Sequence, residues 1–225
     1  MANLGWKLAA TLQGWGSDTL LQSYSEERRP IFKETADDFI AARIKKDAEL
    51  LDRYSPDHDR KEFAQMWANL ESDTGSADVY EPNYEGSPVI VGPPNGVCSA
   101  HGKHMFKARA GHHLTPQPLS DGRNVFEELG TGLTLLAFGA SDRAIQVFGQ
   151  VADAQNVPLK IIRDTYAGGR EAYERHLILV RPDQYVVWTD GQLPADPSFV
   201  ICKAVGRDPV FEWSPFERSK CQTMH

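Results

Sequence analysis

The spacing of apolar positions changes near residue 71, from helical intervals before it to short strand-like runs after it. Leu4, Leu8 and Leu12 recur at helical spacing and Gly14 sits where a left-handed cap would end the helix, so a helix is expected over Asn3–Leu12. After a turn at Gly16 and Ser17, a short helix is expected over Thr19–Tyr24. Pro30 suits the first turn of a new helix better than the middle of an old one, because it lacks the N–H that an interior position needs. Phe32, Ala36, Phe39, Ile40 and Ile44 then form one apolar face of a helix ending near Leu51, opposite a solvated face carrying Lys33, Asp37, Lys45 and Asp47. Phe63 and Trp67, one turn apart, predict a further helix over Asp59–Leu70.

From Glu71 to Arg109 the pattern dissolves into Gly, Ser, Pro, Asn and Asp, with one strand-like run at Ser87–Val91. A connector of this length is expected to wrap another surface or to be partly disordered. His112–Leu119 reads as an edge segment, and Asn124 with Glu127 as the start of a short helix that Gly130 ends. Leu133–Phe138 reads as a buried strand, Asp142–Ala154 as an amphipathic helix with Ile145, Phe148 and Ala152 inward, and Val157–Arg163 as a second strand. Glu171–His176 reads as a helical turn. The runs Leu177–Val180 and Tyr185–Trp188 flank Arg181, Pro182, Asp183 and Gln184, a hairpin with Pro and Asp in its turn. Asp196 before Pro197 caps a last helix, which Gly206 stops.

The order strand, helix, strand, hairpin, helix predicts an α/β fold: an N-terminal helical segment followed by a thioredoxin-like domain, a mixed sheet with helices on both faces. Its first two strands are expected to be parallel, and burial of both faces explains why the strands are continuous apolar runs. The expected regions are a helical segment over 1–70, a connector over 71–110, the sheet domain over 111–206 and a tail over 207–225.

Composition narrows the partners. A formal charge of −7 with scattered basic residues argues against nucleic acid. Cys98, Cys202 and Cys221 are three in number and have no metal or redox spacing, which predicts reduced thiols and a cytoplasmic setting. Neither a signal-peptide layout nor an apolar run of the ~20 residues that a membrane helix needs is present.

Candidate chemistry is sparse. A working thioredoxin-like oxidoreductase needs a low-pKa cysteine at a helix start, yet LTLLAF is followed by Gly139, Ala140, Ser141 and Asp142, and no proline leads into Leu177. His101, His104, His112 and His113 with Cys98 suggest a metal site, but they lie in a glycine-rich connector without zinc spacing, so a solvated loop is the better reading and no metal is expected. Gly130-Thr131-Gly132 lacks the third glycine of a dinucleotide loop and precedes a strand, so it reads as a helix cap. Glu26 and Glu27 beside Arg28 and Arg29 read as ion pairs. Trp6 and Trp188 read as core or interface anchors. No catalytic residue is assigned.

Two segments carry a resemblance. NLGWKLAATLQGWGSDTLLQSYSEERRPI, and HHLTPQPLSDGRNVFEELGTGLTLLAFG together with HLILVRPDQYVVWTDGQLPADPSFV, resemble the C-terminal portion of the FAD-dependent aromatic hydroxylases, flavoprotein monooxygenases related to phenol hydroxylase and 4-hydroxybenzoate hydroxylase. The resemblance implies insertion of one oxygen atom from O2 into a phenolic ring with FAD and NAD(P)H. It also implies a start just after the flavin site, since no GxGxxG and no Gly-Asp flavin motif has a counterpart here. Neither cofactor is then expected to be held by this chain alone, and the implied partner is an FAD-binding domain or subunit, with homo-oligomer contacts as a second kind and no nucleic acid or membrane. Asn3 is the residue placed nearest the cofactor; Trp6, Arg28, Arg181, Pro182, Asp183 and Trp188 are implied structural or interface positions. The competing expectation is a free-standing, redox-inactive thioredoxin-like module for binding or oligomerisation. Without a partner, Leu4, Leu8, Leu12, Phe32, Phe39 and Ile40 would stay exposed and forfeit on the order of 10 kcal/mol, leaving the N-terminal helices loose while 111–206 folds by itself.

Overall fold

Helix α1 (Ala2–Leu12) ends as its pattern predicts: Gly14 has φ +81°, and the Trp15 and Gly16 N–H groups close back on the Ala10 carbonyl at 3.1 and 2.9 Å. The structure is a computed structural model that describes residues 2–72 and 79–208; residues 73–78 of the connector and residues 209–225, which hold Cys221 and nearly all of the expected tail, lie outside the described residues. Ser17 caps helix α2 (Asp18–Glu34) by accepting a bond from the Leu20 N–H.

Here the structure corrects the sequence reading. The expected short helix over Thr19–Tyr24 and new helix at Pro30 are one helix, with Pro30 inside it. Pro30 removes one backbone bond, but Glu27 and Ile31 on either side are buried and hold the helix to its neighbours, so tertiary contact overrides the local penalty. The helix then continues through a π-helical segment (Thr35–Ala41) into α3 (Ala42–Arg53). Helix α4 (Arg60–Ser72) follows, with the Phe63 and Trp67 rings stacked 5.6 Å apart. Among the described residues no helix is long and apolar enough to cross a membrane.

The connector is ordered where it is described. Strands β1 (Tyr80–Tyr84) and β2 (Cys98–His101) pair antiparallel. Ser87–Val91, expected as a strand, is a pair of turns: the Ile90 N–H returns to the Ser87 carbonyl at 3.1 Å, and Pro88 has no N–H for a ladder. Val89 and Ile90 are nevertheless buried, which accounts for the apolar run. The connector wraps onto α2, where the Ser99 hydroxyl and Ala100 N–H donate to Glu34 at 2.7 and 2.6 Å. Gly111, at φ +86°, lets the chain pass against Glu85, whose N would lie 2.6 Å from an added Cβ.

The main sheet contains β3 (Leu133–Phe138), β4 (Leu159–Asp164), β5 (Leu177–Val180) and β6 (Val186–Asp190) in the order β4-β3-β5-β6. As expected, β3 and β4 are parallel through helix α5 (Asp142–Ala154), while β5 is antiparallel to β3 and to β6. Alternation along β3 sorts the core. Leu133, Leu135 and Ala137 pack with Ile145 and Phe148 of α5, with Val200 and Ile201 of the last helix α6 (Pro197–Ala204), and with Trp6, Ala10, Trp15, Leu20 and Ile31 of the N-terminal segment. Leu136 and Phe138 face the other way, beneath Leu114, Leu119, Val125 and Tyr173. That second face is covered by extended chain and two 3₁₀ turns, Val125–Glu128 and Arg170–Tyr173. Asp196 caps α6 as predicted, accepting the Phe199 N–H at 3.0 Å.

Candidate functional site

The hairpin turn sends Arg181 inward, and its side chain is fully buried. The guanidinium is a fork between two carboxylates. Nη1 and Nη2 donate to Glu27 Oε1 and Oε2 at 2.6 and 3.1 Å, while Nε and Nη2 donate to Asp183 Oδ1 and Oδ2 at 2.9 and 2.6 Å. Trp6, Tyr84 and Tyr185 surround it, with ring centroids 5.2, 5.4 and 5.7 Å from Cζ. Glu27, also fully buried, takes three further donors. Lys7 Nζ lies 2.7 Å from Oε2, Asn3 Nδ2 2.8 Å from Oε2, Ser87 Oγ 2.8 Å from Oε1, and Ser23 Oγ completes the Lys7 shell at 2.7 Å.

Two cations and two carboxylates thus cancel in a dry site. Such a cluster adds little net stability over apolar packing, but removing one member strands a buried charge. Burial alone would raise the Glu27 pKa; the Arg181 guanidinium and Lys7 overcome it and hold the carboxyl at about 2. Lys7 is lowered to about 8 by burial and by repulsion from Arg181, against the pull of Glu27. Burial works against the Arg181 charge too, yet Asp183 and Glu27 raise its pKa above the usual arginine range. Every element that meets here, α1, α2, the connector and the β5–β6 turn, contributes at least one side chain.

Glu27 is therefore paired, but not with the neighbours expected. Successive helical positions point in different directions, so Glu27 faces inward while Arg28 and Arg29 face out. Arg28 donates to the Tyr84 hydroxyl at 3.4 Å. It lines an open cleft of about 650 Å³ whose walls also include Asn3, Tyr24, Tyr84, Pro182, Asp183, Gln184 and Tyr185. The structure thus gathers Asn3, Trp6, Arg28, Arg181, Pro182 and Asp183 around one junction. Trp188 stands apart, buried against Phe148 at a centroid distance of 5.4 Å. Lys7, Ser23, Ser87, Tyr84 and Tyr185 escaped the sequence reading. One signal was available: Asn3, Lys7 and Ala10 share a helical stripe, so a lysine lay on the face that turned inward.

The connector histidines do not converge. Among the described residues no group of three or more His, Cys, Asp or Glu could hold a metal ion. His101 pairs with Asp38 at 2.8 Å, and His113 bonds the Leu114 carbonyl. His112 corrects the solvated-loop reading: it is buried, with Nδ1 3.1 Å from Glu81, Nε2 2.8 Å from Glu85, and Arg109 alongside. Burial pushes the Cys98 thiol up to about 11, which makes it a poor nucleophile. At the end of β3, Ser141 caps α5 and the His176 Nδ1–H donates to the Phe138 carbonyl at 2.6 Å.

Comparison with known proteins adds a second line of evidence. A family model described as FAD binding domain matches residues 1–38. The FAD-dependent monooxygenase opdD of Penicillium oxalicum is 28% identical over 211 residues, covering 83% of this chain and 39% of that protein. The 4-methyl-5-nitrocatechol 5-monooxygenase of a Burkholderia species is 25% identical over 222 residues, covering 90% of this chain and 38% of that protein. The rebeccamycin biosynthetic enzyme RebC, solved with reduced flavin, superposes with a TM-score of 0.72 at 27% identity, covering 92% of this chain and 40% of RebC. The chain spans about two fifths of the length of the curated relatives it matches.

Proposed function

This chain belongs to the FAD-dependent aromatic hydroxylase family, and from that premise we propose that it is the scaffold portion of a monooxygenase that hydroxylates phenolic or related aromatic rings with FAD and NAD(P)H. The observation that carries the reading is the superposition on RebC across 92% of the chain. In this reading the FAD-binding portion is a separate stretch or subunit, because the sequence described here contains neither GxGxxG nor the Gly-Asp flavin motif. We take the β3–β6 sheet as a redox-inactive thioredoxin-like domain. Its strand order supports that assignment, and Gly139, Ala140 and Ser141 supply no thiol where such a nucleophile would stand. The free thiols Cys98 and Cys202 support a reducing, cytoplasmic setting.

One atom of this chain fits a place beside the cofactor. Asn3 Oδ1 is buried and has no hydrogen-bond partner, while the amide nitrogen of the same side chain is held by Glu27. FAD, when bound, supplies the oxygen-activating and hydride-accepting chemistry. The residues here act mechanically: Glu27 fixes Asn3 and Lys7 of α1, and Arg181 fixes Glu27 to the sheet. Orientation of α1 is thereby tied to the β5–β6 hairpin.

The second reading, a free-standing binding or oligomerisation module, draws on the exposed Leu12, Phe32, Ile40, Ile44 and Leu51. A single preparation separates the two. The purified chain should carry no visible flavin absorbance after desalting, and co-expression with an FAD-binding portion from a relative should yield a flavin-loaded complex that oxidises NAD(P)H in the presence of a phenol. Stoichiometric flavin on the chain alone, or failure of the two portions to associate, would overturn the proposal.

A further inference from the structure

The cleft beside the buried charge cluster is built entirely from this chain, and its chemistry is specific. We propose that it binds a flat organic anion, an aromatic ring bearing a carboxylate, with Arg28 on the carboxylate and the tyrosine wall against the ring. Three observations carry this inference.

The first is charge. Lys7 and Arg181, both buried, are balanced by the buried Glu27 and by Asp183, which reaches the cleft wall but is taken up by Arg181. Arg28 is outside that balance, and among the described residues no carboxylate lies within ion-pairing distance of it; its hydrogen bond to the Tyr84 hydroxyl is long, at 3.4 Å. A guanidinium with most of its five donors free, on the wall of a concave surface, selects an anion and favours the two-oxygen geometry of a carboxylate.

The second is shape. About 650 Å³ lies within the range of small-molecule sites. Tyr24, Tyr84 and Tyr185 line it; Tyr84 is itself buried and its ring packs 4.1 Å from that of Tyr185 at 30°, which backs Tyr185 as a rigid face. Aromatic faces against a planar ring give orientation as well as burial.

The third is the backbone. Gln184 has φ +70°, in the left-handed region that glycine, asparagine and aspartate adopt far more readily. A strained glutamine at the hairpin tip places an amide on the cleft wall, where a glycine would serve the turn better and present nothing. Strain kept at a ligand-facing position is the pattern expected of a residue retained for contact.

The inference goes beyond the monooxygenase reading and assigns no reaction to the cleft. Isothermal titration of the full chain with benzoate, benzamide and acetate tests it. Benzoate should bind saturably at one site, with benzamide, which lacks the charge, and acetate, which lacks the ring, each about tenfold weaker or worse. Arg28→Gln should erase the preference for benzoate over benzamide without moving the melting temperature, since Arg28 is exposed. Gln184→Gly should weaken benzoate several-fold while the melting temperature holds or rises. Equal affinity for benzoate and benzamide, benzoate binding unchanged by Arg28→Gln, or no saturable benzoate binding would each overturn the proposal.

Discussion

Two halves of one helix behave differently. From Asp18 to Glu34 it buries Leu20, Ser23, Glu27 and Ile31, a stripe at helical spacing that faces α1 and the sheet. From Thr35 to Arg53 it buries no residue, although Ile40, Ile44 and Leu51 keep up the apolar pattern at 54%, 62% and 53% exposure. The same periodicity therefore specified helix in both halves and burial in only one. A helical stripe states that a face is apolar; the rest of the molecule decides whether it is covered. Leu8, Leu12 and Phe32 are exposed as the sequence reading expected, while Leu4 and Phe39 are half-buried, and the neighbours Trp6, Ala10, Trp15, Leu20 and Ile31 join the sheet core.

Breaking the tie between the first half and the sheet should have the largest effect. Glu27→Ala leaves Lys7 without its anion and Arg181 with half of its own, a loss of about 3–5 kcal/mol in chemical denaturation. Next comes a matched pair on the helix. Leu20→Ala should cost about 2–5 kcal/mol, and Ile44→Ala less than about 0.5 kcal/mol. Similar costs at both sites would remove the contrast between the halves.

Acid sharpens the comparison further. The Glu27 carboxyl titrates at about 2 when folded and near 4.5 in an ordinary setting. Its contribution is therefore complete above the ordinary value and lost as pH falls through the folded one, so stability should decline between those limits, and Glu27→Gln should flatten that limb. Lys7 gives a second limb of the same sign at higher pH: with its folded pKa lowered from 10.5 to about 8, the unfolded chain holds the proton longer, and this group adds stability as pH rises across that window. Urea denaturation across pH, with and without Glu27→Gln, checks both limbs.

What could be read from the sequence follows the range of the interactions. The strand Leu133–Phe138, the helix Asp142–Ala154, the hairpin and the caps at Asn124 and Asp196 are set by contacts within a few residues, and local pattern finds them. Pro30 misled because its local penalty is outweighed by burial of its neighbours. Ser87–Val91 misled because a buried run need not be extended; its burial comes from the core around it. The Glu27–Arg181 pair joins positions 154 apart in the chain, and no local spacing encodes it. The hairpin turn was legible, but not the inward direction of Arg181, which depends on Glu27 waiting in α2.

The central claim is that the first half of the helix is one body with the sheet, and that the second half, which buries no residue and is tied to its neighbours only by partly exposed contacts such as Asp38 with His101 and Arg43 with the Leu70 carbonyl, is not. Native-state hydrogen exchange on the isolated chain tests it directly. Amides of Leu20–Ile31 should be protected as strongly as those of Leu133–Phe138, while amides from Phe39 to Leu51 should exchange through local opening and far faster. Equal protection along the whole helix, or rapid exchange at Leu20–Ile31, would contradict it.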